Sequence, residues 1–258
     1  MSTIKSIVKQ CLPYGIVEAM HRDDRKEVHI NRAFRHLKGH TYVEIGVQAG
    51  VCFDQIVAPR KIAIDPVPMV FDLDLGSGES FYSMTSDEFF DAHADQLFGR
   101  QRVDVALVDG LHEFGQTLRD ILNLERYMSP AGVIFIHDCN PPTRAHTQAG
   151  RKFWTGDVWK MAPYLTTYRL DLTFFTLDCD WGVGVLTGFR SSSCSDLPSP
   201  EILAQCQSLD YEWLDQNRKQ ILRLRPPWYS RIFFGFSHRR IRAETDRNRK
   251  SCECGQHG

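Results

Sequence analysis

The segment RVDVALVDGLHEFGQTLRDILNLERYMSPAGVIFIHDCNPP, residues 102–142, constrains the fold more than any other part of this chain. It reads as a short apolar run ending in Asp109, a polar loop, an amphipathic stretch, a turn, and a second apolar run ending in His137-Asp138. Short β-branched runs separated by a stretch of helical period are the pattern of a strand–helix–strand unit, and so of a parallel sheet. In such sheets the residues just past the strand C-termini meet in the ligand crevice. The segment therefore predicts one rim carrying Asp109, His112, His137 and Asp138.

The alternation extends on both sides. TYVEIG (41–46) predicts a first strand, GVQAGVCFDQIV a helix after it, KIAID (61–65) a second strand and FYSM (81–84) a third. Thr85 and Glu88 have capping-box spacing ahead of the helical DEFFDAHADQLF. The fourth strand is VDVALVD (103–109), followed by a helix with Phe114, Leu118, Ile121 and Leu122 on one face. Pro130-Ala131-Gly132 is expected to stop that helix before a fifth strand, VIFIHD (133–138). Asn140-Pro141-Pro142 forces a loop, and a helix around 157–165 follows. TYRLDLTFFTLD and WGVGVLTG close the core as an antiparallel pair, with Asp178 and Asp180 as structural flanks of their turn. The expected division is an N-terminal helical segment (1–38), an α/β core (39–190), and a linker with a basic helical extension (191–258). The first segment has a charged middle, His21–Glu27, and no catalytic pattern.

Composition decides the setting. A near-neutral formal charge of −1 and 24% charged residues fit a soluble globular chain and argue against nucleic acid as a partner. No apolar run approaches the roughly 18 residues of a membrane span, and the first residues lack a signal-peptide pattern, so a cytoplasmic location is expected. The segment Trp228–Phe236 interleaves aromatic and basic residues. It is either a contact to the inner face of a membrane or a helix docking on the core. The eight cysteines are scattered and form no disulfide framework; Cys252 and Cys254 are a weak metal candidate.

A second motif lies at the first strand. YVEIGVQAG (42–50) carries Gly46 for a tight turn and Gly50 for close backbone approach, and Asp65 stands where an acid binds ribose hydroxyls. The full G-x-G-x-x-G is missing, which disfavours a dinucleotide dehydrogenase. Asp72–Gly78 is also glycine-containing but is followed by no helix, and reads as a surface loop.

Together, YVEIGVQAG, AIDP, DVALVDGLHEFGQTLRDI and GVIFIHD resemble the class I S-adenosylmethionine-dependent methyltransferases over about residues 40–190. More narrowly they resemble the group that includes macrocin-type sugar O-methyltransferases and cephalosporin hydroxylase-like proteins. The resemblance implies a Rossmann-like, mostly parallel seven-stranded sheet with its last strand antiparallel. It implies S-adenosyl-L-methionine as cofactor, with Glu44, Gly46, Val47, Gln48 and Gly50 around its methionine end and Asp65 on the ribose. Ser86 and Asp87 would lie at the adenine edge and Asp109 beside the cofactor. It further implies His112 as general base and Asp109 with Asp138 as ligands of Mg²⁺ or another divalent metal. His137 stands where relatives carry a second acid, which admits Mn²⁺ and leaves the metal requirement open.

Methyl transfer from a sulfonium requires an aligned nucleophile and removal of its proton. His112, Asp109 and Asp138 are the candidates for that work. Strand alternation places His137 on the opposite side from Asp138. Asp138 has the alternative of capping the turn at 139–142. Trp154, Asp157, Trp159 and Trp181–Gly184 suit either a sugar face or the core. The expected activity is O-methylation of a sugar-containing glycan or natural product. The alternatives are N-methylation of an amino sugar or small amine, and a methyltransferase-like module that binds without turnover. Oligomeric state, including a homo-oligomer, is left open.

Overall fold

The structure, a computed structural model, describes residues 24–67, 75–149, 154–190 and 197–237. A single seven-stranded sheet forms the centre: β1 (Thr41–Ile45), β2 (Arg60–Ile64), β3 (Glu79–Tyr82), β4 (Val103–Val108), β5 (Met128–Ile136), β6 (Thr173–Leu177) and β7 (Val183–Thr187). Their spatial order is β3-β2-β1-β4-β5-β7-β6. The first five are parallel, and β7 runs antiparallel between β5 and β6. This is the mostly parallel sheet with an antiparallel last strand that the sequence predicts.

Central strands β1 and β4 are buried on both faces, so side chains alternate between two cores. On one side Val43, Ile45, Ala106, Ile134 and Ile136 meet helices α2 (Ser86–Ala92), α3 (Ala94–Phe98), α4 (Phe114–Glu125) and α5 (Met161–Tyr168). Two C-terminal helices, α6 (Pro200–Gln207) and α7 (Tyr211–Ile221), pack outside α5. On the other side Tyr42, Val105, Leu107 and Phe135 meet α1 (Lys26–Leu37), whose Ile30, Ala33, Phe34 and Leu37 make one apolar face. The last short helix, α8 (Tyr229–Ile232), leads into a π-helical turn, Phe233–Ser237, and seats Phe233 and Phe234 in this second core.

The capping box at Thr85 forms, with the Thr85 hydroxyl accepting from Glu88 N and the Glu88 carboxylate accepting from Thr85 N. Four expectations change. The residues after β1 form only a 3₁₀ turn, Phe53–Gln55, because Gly46, Gln48 and Gly50 all have positive φ, which no α-helix accepts. Helix α1 covers that face instead. Pro130–Gly132 does not stop a helix: α4 ends at Glu125, and these residues lie in an irregularity of β5, where the register against β4 slips between Val103 and Val105. A proline without an N–H is tolerated at such a bulge. Strand β3 begins two residues earlier than FYSM, and the helix after Thr85 breaks at His93 into α2 and α3.

The aromatic tail docks on the core, with Ser230 and Phe234 fully buried and Trp228 and Ile232 at the surface. No helix among the described residues is long and apolar enough to cross a membrane. Cys252, Cys254 and most of the 191–200 linker lie outside the described residues, as do residues 72–74 of the second glycine-containing segment.

Burial of the tail predicts that Phe234→Ala lowers unfolding free energy by about 3–5 kcal/mol, the usual range for emptying a buried aromatic site. Urea denaturation would show this; a change below about 0.5 kcal/mol, as for a surface position, would mean the tail is not part of the core.

Candidate active site

The rim predicted from the strand ends is present. Asp109 follows β4, which lies between β1 and β5, so its carboxylate opens at the middle of the sheet edge. Asp109 Oδ1 meets His137 Nδ1 at 3.0 Å and His112 Nε2 at 3.3 Å. Asp138 Oδ2 lies 3.2 Å from His112 Nδ1, and Asp138 Oδ1 3.4 Å from His137 Nδ1. His112 Nδ1 also lies 3.2 Å from the Trp154 carbonyl. His112 thus bridges the two acids from one side and His137 from the other.

His137 does not turn away from Asp138 as strand alternation predicts. β5 ends at Ile136, and Asp138 takes a left-handed backbone, φ 60°, which swings its carboxylate back toward the same opening. His112 is left-handed too, φ 58°. Aspartate and histidine are among the few non-glycine residues enriched there. The 154–157 loop holds the His112 turn: Asp157 N donates to His112 O at 3.2 Å, and Asp157 Oδ1 accepts from Phe114 N at 2.6 Å. Gly156 comes so close that a Cβ would fall 1.8 Å from His112 O.

Two members of the rim have no sequence signal. Asp180, expected to be structural, lies with Oδ1 3.5 Å from His137 Nε2. Lys26, at the start of α1, places Nζ 2.9 Å from Asp109 Oδ2 and its backbone N 3.0 Å from Asp180 Oδ2. Both come from elements distant in sequence, so only the fold brings them here.

These contacts set the protonation states. Burial alone would raise Asp109, but the charge of His137, hydrogen bonds from His112 and His137, and the charge of Lys26 hold its carboxyl well below the usual range. Burial opposes charge on both histidines and on Lys26. Asp109 with Asp138 outweighs it for His112, the same pair with Asp180 for His137, and Asp109 for Lys26, so all three are raised. Glu44 behaves oppositely. Burial pushes it up to about 8, only partly offset by the hydrogen bond from Tyr42 Oη at 2.6 Å.

The glycine loop lies against the same rim. A Cβ on Gly46 would fall 2.1 Å from Asp109 O, so this loop and the end of β4 meet backbone to backbone. Asp65 Oδ2 accepts from Val47 N and Gln48 N at 2.9 and 2.8 Å, and Oδ1 from Val67 N at 2.9 Å. Three of about four acceptor positions are used, leaving one on Oδ1 for a hydroxyl. That fits a ribose acid which also sets the loop. Ser86 Oγ donates to Asp120 Oδ1 at 2.6 Å, and Gln116 joins Ser86, Asp87 and Asp120, tying α2 to α4 beside Gly110. Burial raises Asp120 to about 6.

One atom each of Asp109, His137 and Asp138 lie within 4.8 Å of one another, the spacing of a metal-ligand set. Two carboxylate oxygens and an imidazole nitrogen suit Mn²⁺ or a later transition ion better than Mg²⁺. To ligate such an ion, His137 would have to be neutral at the ligating nitrogen.

Beside His112 opens a cavity of about 880 Å³ between the start of α4, residues 144–149 and 154–157, and the α6–α7 junction. Trp154, Arg144, Asp157, Tyr211 and Glu212 contribute to its wall. Of the tryptophans expected to suit a sugar, Trp154 borders His112, ring centroids 5.6 Å apart. Trp181 stands at the surface near His146. Trp159 is core, 1% exposed, with Trp213 against it.

Residues 43–139 match the family model described as a methyltransferase domain. The matched part carries the glycine loop, Asp65, Asp109, His112 and Asp138, and lies within the seven-stranded sheet. Solved structures similar to the chain include the MycE methyltransferase of the mycinamycin biosynthetic pathway in complex with Mg, SAH and mycinamycin VI. That likeness has 14% identity and a TM-score of 0.43, covering 67% of this chain and 51% of the other. The chain thus spans about half the length of that protein. The SAH-bound methyltransferase PaMTH1 of Podospora anserina is similar at 13% identity and TM-score 0.47, covering 73% and 95%. A methyltransferase from Geobacter sulfurreducens is similar at 14% and 0.43, covering 74% and 97%. No curated protein matches the chain in sequence.

Glu44 supplies a pH test. Its folded pKa, about 8, exceeds the ordinary 4.5. Between these values the unfolded chain has lost the proton that the folded chain keeps, so stability falls as pH rises, by up to about 1.4 kcal/mol per unit. Glu44→Gln is expected to remove that slope between pH 5 and 8. Equal slopes in chemical denaturation of the two proteins would show that Glu44 is not a buried neutral acid.

Proposed function

We propose that this chain is an S-adenosylmethionine-dependent O-methyltransferase acting on a hydroxyl of a sugar-containing acceptor. The observation that carries the reading is His112, held between Asp109 and Asp138 in the cavity wall, with the Gly46 loop packed against Asp109 and Gly110 just before it. The methyltransferase-domain match over residues 43–139 supports the reaction class.

In this reading the Gly46–Gly50 loop and Asp65 bind the cofactor, with Glu44 beneath the loop and Ser86 and Asp87 toward the adenine. The acceptor occupies the cavity, where Trp154 offers an aromatic face and Arg144, Asp157 and Glu212 offer polar groups, a lining suited to a hydroxylated ring. The Trp154 carbonyl and Asp138 orient His112 through Nδ1. Nε2, whose contact with Asp109 is long at 3.3 Å, is the nitrogen that exchanges its partner for an acceptor hydroxyl. His112 must first release its Nε2 proton to solvent as that nitrogen leaves Asp109. The hydroxyl proton then passes to the neutral Nε2 as the hydroxyl oxygen takes the methyl group from the sulfonium. The cofactor leaves as S-adenosylhomocysteine. Asp109 and Asp138 stabilise the imidazolium that results. Asp109, Asp138 and His137 would hold a divalent ion, which when bound supplies Lewis-acid stabilisation of the acceptor oxygen.

Cofactor use is tested by calorimetry with S-adenosylhomocysteine. Saturable binding is expected, weakened at least tenfold in Asp65→Ala, which removes both the ribose acceptor and the three amide contacts that shape the loop. Absence of binding by the natural chain, or equal affinity in the variant, would overturn the assignment.

A further inference from the structure

The charged start of α1 reaches across the sheet edge to a rim built by β4 and β5. Lys26 Nζ lies 2.9 Å from Asp109 Oδ2, and Lys26 N donates to Asp180 Oδ2 at 3.0 Å. One residue thus holds two of the three rim acids, through its side chain and its backbone. The ammonium is shielded, its side chain 14% exposed. The other Asp109 oxygen, Oδ1, faces His137 and His112. The carboxylate is therefore divided: Oδ2 belongs to Lys26, and Oδ1 faces the imidazoles, on the side where Asp109, Asp138 and His137 converge.

We propose that Lys26 is a built-in counter-cation of this rim, a positioning residue that restricts Asp109 to one ligating oxygen and weakens divalent-ion binding at Asp109, Asp138 and His137. Two physical effects act together. A fixed unit charge within a few ångströms of a divalent ion repels it, and bulk salt screens poorly where water is excluded. An ammonium on Oδ2 also denies the ion bidentate ligation by Asp109, one of the ways carboxylate sites gain affinity. With His137 where a further acid would add charge, Lys26 leaves the ligand set with less net negative charge to attract an ion. The lysine does not ligate the ion; it sets how tightly the three ligands hold one.

The inference concerns the rim used in the proposed reaction, but its test reads ion binding to the full chain without cofactor or acceptor. It therefore fails or holds independently of methyl transfer. Free Mn²⁺ is followed by electron paramagnetic resonance during titration of the natural chain, Lys26→Met, Lys26→Gln and Lys26→Arg, with thermal melts to identify folded variants. Loss of the charge is expected to tighten Mn²⁺ binding at least tenfold in the methionine or glutamine variant, while arginine keeps the natural affinity. Glutamine retains a hydrogen-bond donor toward Asp109, which guards against simple unfolding. Unchanged, weaker or undetectable Mn²⁺ binding in the folded uncharged variants overturns the inference. So does failure of both to fold when excess Mn²⁺ is supplied, because the ion would then not replace the missing charge.

Discussion

The carboxylate of Asp109 is the point on which the rest of the arrangement depends. It leaves the end of β4, between β1 and β5, and is met by Lys26 from α1, His112 from the following loop and His137 from the end of β5. Four separate parts of the chain are fixed relative to one another by one charged group. Such a group in a partly dry setting stabilises little by itself, since desolvation offsets most of the attraction. Removing one partner is different, because it leaves an uncompensated charge at a cost of about 3–5 kcal/mol. The cluster therefore specifies geometry more than it adds stability, and geometry is what proton removal from an acceptor needs.

Backbone conformations hold the side chains in place. His112, Asp138, Asp180 and Trp181 all have positive φ, each a conformation costing on the order of 1–3 kcal/mol outside glycine. Neighbouring loops over-determine these turns. Gly156 presses its backbone on His112, and Gly182 comes so close to Asn140 that a Cβ would fall 2.4 Å away. Arg218 of α7 clamps the loop after Asp138 through Asn140 Oδ1 and the Pro141 carbonyl. Helices α6 and α7 thus help to shape the rim and one wall of the cavity.

The sheet was largely legible in the sequence because period-two apolar runs, a capping box at Thr85 and the carboxylates ending the runs are local signals. Asp109, His112, Asp138 and the Gly46–Asp65 pair were visible for the same reason. What was not legible is long-range or conformational. Lys26 sits in a charged stretch with no pattern, and only the docking of Ile30, Phe34 and Leu37 on the sheet carries it to Asp109. Asp180 reads as a turn residue until β6 and β7 place that turn beside His137. His137 and Asp138 share the opening, against strand alternation, because alternation holds only within a strand and the chain leaves the strand at Ile136. The helix expected after Gly46 fails because three left-handed residues occupy its place, a property of backbone angles that residue types only partly announce.

The central claim is that the rim around His112 removes a proton from an acceptor hydroxyl while the adjoining loop presents a methyl donor. It is tested most directly by following isotope from methyl-labelled S-adenosylmethionine into a panel of hydroxylated sugars and glycosides, with the natural chain and His112→Ala side by side. The account predicts label on an acceptor oxygen with the natural chain, and a rate at least about a hundredfold lower in the variant, the usual loss of a general base. Label transfer at the same rate without the imidazole would contradict it.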